Sequence, residues 1–169
     1  GLQAASDGAA LRFGSAWHRA MDARWRGVEF ASALADATAD RALADETQVA
    51  TLAGLLAAYF NVYLSDEPVK QLHPEVEFSL PLAGSRSFLC AGKIDGLGVL
   101  HDGRLVLIEH KTCSDDIGPE SDYWLRLRAN GQIMQYVLAA RALGWQIEIV
   151  IYDVARKPAI RQKQGETPE

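Results

Sequence analysis

Two cysteines in 169 residues, Cys90 and Cys113, are too few for a disulfide framework and too few for a four-thiolate zinc site. Both sit inside apolar, strand-like runs, and a reducing compartment is the simple reading. No apolar stretch approaches the roughly 18 residues a membrane span needs, and the start lacks the basic region and apolar stretch of a secretory signal. The chain is therefore expected to be soluble and cytoplasmic, with no membrane partner. Internal repeats, low-complexity segments and His-x-x-x-His or similar zinc spacings are absent too. Nor is there an excess of positive charge: 17 Lys and Arg stand against 22 Asp and Glu, a net charge of -5. That argues against a generally basic nucleic-acid binder, because phosphate contacts need cations on the binding face, but it leaves room for a local patch. Acids that hold a cation also lower the formal charge, so the total does not speak against a metalloenzyme with an anionic substrate.

What is present is a chain with 49% hydrophobic residues, the size of one ordinary domain with a core of its own. It opens on Gly1 without a methionine and ends in a polar stretch, Arg161 to Glu169, so it reads as a piece of a longer protein. Its alanine- and arginine-rich composition is compatible with a bacterial or phage origin. Leu11, Phe13, Ala16, Trp17, Ala20, Met21 and Trp25 recur at helical spacing, which predicts one buried stripe on a helix from Leu11 to Arg26, with His18 beside it. Two more helices are expected, over Ala31 to Ala44 and Glu46 to Tyr63, the last stopping near Ser65 before Asp66-Glu67-Pro68.

After His73-Pro74 the period changes from helical to alternating. Strands are expected around Val76 to Leu80, Phe88 to Leu100 and Arg104 to Thr112, the last two joined by the hairpin loop His101-Asp102-Gly103. A helix from about Asp122 to Leu143, closed by Gly144, leads into a fourth strand over Gln146 to Val154. The whole reads as one domain: a helical part over 1–70, an αβ core over 75–154 and a polar tail over 155–169.

A hairpin centred on Asp102 sets Asp95 directly across from Glu109 and Lys93 across from Lys111, all four on one face. Like charges so opposed repel, with side-chain bases about 4.5–5.5 Å apart. A divalent cation repays that repulsion: Mg²⁺ takes carboxylate oxygens at about 2.0–2.1 Å and keeps waters elsewhere in its shell. Lys111, two residues beyond Glu109, could then hold or deprotonate a water, or stabilise charge growing on a phosphate. The bland alternative is a surface Glu109–Lys111 pair at a strand end, with Asp95 an ordinary acid near a turn.

Gly92-Lys93-Ile94-Asp95-Gly96, Ile108-Glu109-His110-Lys111-Thr112 and Gln132-x3-Tyr136 follow one another on hairpin and helix, and in this the chain resembles the PD-(D/E)XK nuclease superfamily, in the branch with RecB-type and Cas4-type nucleases and phage exonucleases. The resemblance spans roughly Leu11 to Val154. It implies an α/β fold with a restriction-endonuclease-like core: a mixed central sheet carrying the catalytic hairpin, flanked by helices, with an N-terminal helical layer. It further implies that Asp95 and Glu109 bind metal and that Lys111 is catalytic. Gln132 and Tyr136, on one helical face, would act beside the metal, and His18, in Gly14-Ser15-Ala16-Trp17-His18, would be a further ligand. Read alone, His18 could be a helix residue near the core, and Gln132 and Tyr136 a surface amide and a packed aromatic. The backbone carbonyl of His110 is another candidate for the shell, and Glu77 a secondary one. Some relatives hold an iron–sulfur cluster on four cysteines; two cannot, so Mg²⁺ or Mn²⁺ and no cluster is expected. The first acid stands in Ile94-Asp95 rather than Pro-Asp.

Arg126, Arg128 and Lys157 are candidate phosphate contacts, alongside Arg24, Arg26, Arg156, Arg161 and Lys163. Tyr123 and Trp124 could stack on bases or be buried against the sheet. The expected activity is metal-dependent hydrolysis of phosphodiester bonds in single- or double-stranded DNA, by an exonuclease of recombination, repair or phage DNA processing. A helicase, a recombination protein or further copies of the chain are possible partners. Two other readings stay open: a catalytically silent nucleic-acid-binding or assembly module, and a metal-dependent hydrolase of a different substrate.

Overall fold

Small and aromatic apolar residues three and four apart dominate the first third of the chain, and alternating β-branched residues the middle, so helices come first and strands follow. A computed structural model describes residues 2–39, 43, 45–63, 67–82 and 84–158, the side chains of 2–7 and 71 excepted. Its elements are α1 Leu2–Trp25, α2 Phe30–Thr38, α3 Glu46–Val62, β1 Val69–Pro81, β2 Leu89–Leu100, β3 Leu105–Cys113, α4 Asp122–Arg128, α5 Gly131–Ala142 and β4 Ile149–Arg156. They fall into two compact units, one of Gly1–Glu67, Lys111–Ser114 and Val154–Glu169, the other of Pro68–His110 and Asp115–Asp153.

The first unit is built on the three helices. Phe13, Ala16, Trp17, Ala20 and Met21 of α1 bury against Ala37 of α2 and Leu52 and Leu56 of α3. The stripe is the expected one except at Leu11, which is exposed: counted back from Phe13, two residues turn the helix by about 200°, onto the far side. Trp17 meets Tyr59 edge-on, and the Arg24 guanidinium lies over the Tyr59 ring while bonding Glu67. Asp45 caps α3 by accepting from the Thr47 N–H. The helix expected over Ala31 to Ala44 ends at Thr38, and the expected stop near Ser65 lies outside the described residues.

The second unit is built on the sheet, whose order is β1-β2-β3-β4. β1 and β2 are antiparallel, as are β2 and β3. Glu148 N donates to Leu105 O, and Lys157 N to Cys113 O, so partner numbers rise together and β4 runs parallel to β3, which makes the sheet mixed. Parallel neighbours need a long crossover, supplied here by α4 and α5. Ala139 and Ala140 of α5 pack with Phe78, Ile94, Leu97, Leu107 and Ile147 to form the core of this unit.

In the first unit α1 begins at Leu2, ahead of the expected Leu11, and several boundaries of the second unit differ from expectation as well. β1 begins at Val69 and runs through Pro74, which an edge strand tolerates because one row of its N–H groups has no ladder partner to lose. The helix expected from Asp122 to Leu143 is broken in two: Asn130 has extended backbone and accepts from Gln132 N as the cap of α5, so the chain restarts rather than continues. β4 starts at Ile149 instead of Gln146. Gly144, at φ 97°, closes α5 as expected, with Trp145 N donating to Ala140 O.

Candidate functional site

The hairpin register is the one expected from a loop centred on Asp102. Val99 stands opposite Leu105, Leu97 opposite Leu107 and Gly96 opposite Ile108, with Gly103 in the left-handed conformation, φ 91°, at the turn. The described pairs of the β2–β3 ladder run as far as Gly96 and Ile108, one step before Asp95 and Glu109. On the other side of β2, Pro74 pairs with Gly96 and Val76 with Ile94, and the residue between them on β1, Glu75, has φ 51°. A non-glycine residue rarely adopts that conformation. The backbone of β1 is thus unusual beside Asp95.

A side chain also joins the two strands here. His110 N donates to Asp95 Oδ2 at 2.8 Å, so the Asp95 carboxylate reaches the peptide that joins Glu109 to His110. Glu109 itself is buried, at 2% exposure. Its charge is felt by Tyr152 of β4: burial pushes that phenol above its ordinary pKa, and the Glu109 carboxylate adds to the shift. Tyr152 also donates to Leu127 O at the end of α4. Carboxylates are rarely this buried without a counter-charge, because desolvation of an ion costs several kcal/mol or more. Two carboxylates brought to one peptide, with hard oxygen donors and a mainly apolar surround, fit a divalent cation.

Alternation carries the next side chain to the other face of β3. The His110 ring is also buried, and its Nδ1 lies 2.8 Å from Asp153 Oδ2. What His110 has to offer a metal beside Glu109 is accordingly its carbonyl oxygen. Lys111 follows two residues after Glu109 in the same strand, at a position of intermediate exposure. Gln132 and Tyr136 are brought together on α5, Gln132 Nε2 donating to Tyr136 Oη at 2.9 Å. The Tyr136 ring packs edge-on against Phe78, and a Cβ at Gly92 would stand 2.8 Å from Phe78 Cζ.

The remaining expected residues fare differently. Arg126 and Arg128 are exposed on α4, Arg126 paired with Asp115. Lys157 lies over the Phe13 ring, 4.4 Å from its centre, and burial pushes its pKa down. His18 is half-buried on α1, within the first unit. Glu77 is exposed on β1. Trp124 lies in the first turn of α4, its indole N–H donating to Ile117 O and Gly118 O in the loop before the helix, which is a structural use. Among the described residues, no group of three or more His, Cys, Asp and Glu side chains is gathered as a metal-binding cluster. Tyr152 and Asp153 were not foreseen. The signal was there: Asp153 is the one acid in the run Ile149-Val150-Ile151-Tyr152-Asp153-Val154.

The mixed sheet carries an antiparallel hairpin with Asp95 on β2 and Glu109-x-Lys111 on β3, beside a parallel fourth strand. The chain belongs to the PD-(D/E)XK nuclease superfamily, whose family model matches residues 1–169. It is by that membership a nuclease, a hydrolase acting on nucleic acid, of a kind that uses divalent metals such as Mg²⁺. A comparison with curated proteins finds no match.

Proposed function

We propose that this chain is a Mg²⁺- or Mn²⁺-dependent deoxyribonuclease that degrades DNA from its ends, in recombination, repair or phage DNA processing, and that it stands in the RecB/Cas4-like branch as a single nuclease domain. The observation that carries the reading is the Asp95 carboxylate bonded to the peptide after buried Glu109. Asp95 and Glu109 would hold the cation, with His18 and the carbonyl oxygen of His110 as further candidates for its shell. When bound, such a cation lowers the pKa of a coordinated water and neutralises charge building on the phosphate.

The protein's own groups do the rest. Asp95, with one oxygen taken by His110 N, presents its other oxygen in a restricted direction. Lys111 supplies a positive charge to hold the attacking water or the phosphate. Gln132 and Tyr136, already bonded to one another, offer a preformed amide and hydroxyl to a phosphate oxygen. Arg126 and Arg128 steer the DNA backbone.

Degradation of end-labelled linear and circular DNA, single- and double-stranded, in Mg²⁺, Mn²⁺ or EDTA tests the proposal. Metal-dependent loss of linear but not circular DNA, absent in Asp95→Ala and Lys111→Ala, is the expected result. Cutting of circles would replace the exonuclease with an endonuclease. A folded, metal-binding wild type that cuts nothing would point to the binding-module reading.

A further inference from the structure

His110 is tied to both neighbouring strands at once. Its peptide N–H donates to Asp95 Oδ2 on the β2 side, and its ring Nδ1 meets Asp153 Oδ2 on the β4 side, each at 2.8 Å. The His110 N–H thus takes part in directing the Asp95 carboxylate, and the ring bond to Asp153 takes part in holding His110 between the two strands. A buried pair of this kind is a poor device for stability alone, since apolar residues of similar volume often do as well or better. Both partners lie in strands that are otherwise mostly apolar, His110 being 2% exposed.

We propose that Asp153 is a positioning residue: acting through His110, it sets the orientation of the Asp95 carboxylate and thereby the affinity of the site for a divalent cation. This rests on the metal-dependent reading given above. Hydrogen-bonded supports of metal-binding carboxylates typically change metal affinity on the order of 10–100-fold when removed. The side chain of Asp153 need touch neither cation nor DNA.

Calorimetric titration of the whole chain with Mn²⁺, without DNA, separates the two ideas. The wild type is expected to bind and Asp95→Ala to lose binding, which tests the site. Asp153→Ala should bind about ten-fold more weakly or worse, while Asp153→Asn, whose amide oxygen still accepts from Nδ1, should stay close to wild type. Should Asp153→Ala unfold, the double variant His110→Phe with Asp153→Leu fills the same space without the bond, and is expected to melt near wild type yet bind weakly. Wild-type affinity in either bond-free variant, whatever its melting temperature, overturns the positioning role while leaving the site intact. A wild type that binds no Mn²⁺ overturns both.

Discussion

The two ends of the β2–β3 hairpin carry similar residues in opposite circumstances. At the loop end, Asp102 and Arg104 are exposed and bonded to one another; the Arg104 side chain and peptide hold the Asp102 carboxyl below its usual range, and Asp102 holds the guanidinium above its own. The ladder there is regular and Gly103 makes the turn. At the open end, Glu109 is buried and Asp95 is drawn onto a peptide N–H. A surface acid is served by water and a passing cation side chain, and contributes little. A buried acid is costly, and a fold that keeps one beside a peptide holding a second, half-buried carboxylate has a use for the charge.

The largest expected effect belongs to the open end. Glu109→Gln should reduce cleavage by about a hundred-fold or more, since loss of a direct ligand should exceed the effect of losing its supports. Circular dichroism checks that the variant folds, and cleavage at the wild-type rate would break the contrast between the ends. Gly92→Ala comes next: its Cβ would stand 2.8 Å from the Phe78 ring, and overpacking of this sort costs about 1–3 kcal/mol, read by urea denaturation.

Tyr152 gives a smaller, pH-shaped effect. Its folded-state pKa is raised, so the native protein keeps a proton that the unfolded chain releases as pH passes the ordinary phenol range. Stability from this group is present below that range and falls as pH rises through the folded value. Tyr152→Phe should lose about 1 kcal/mol near neutrality with the bond to Leu127 O, but show a flatter alkaline decline in melting temperature. The smallest effect belongs to the loop end, where Asp102→Ala should leave both cleavage rate and melting temperature unchanged.

The same contrast explains what could be read from sequence. The hairpin register from Val99 opposite Leu105 to Gly96 opposite Ile108 was legible because His101-Asp102-Gly103 admits a tight turn and alternation does the rest. The helical stripe from Phe13 to Met21 was legible for the same reason. The pairing of His110 with Asp153 was not, because it depends on which strand lies beside β3 and in what direction, set by a crossover of two helices. The break at Asn130 was missed because helical spacing of apolar residues continues on both sides of it, and a capping asparagine looks like any polar residue within a helix. Pro74 was read as a strand boundary when its place on an edge strand makes it harmless.

The most direct test of the central claim is cleavage of labelled linear DNA by wild type, Asp95→Asn and Glu109→Gln across a Mn²⁺ titration, with folding checked by circular dichroism. The account predicts metal-dependent cutting by the wild type and none by either folded variant; cutting by both variants at the wild-type rate would contradict it.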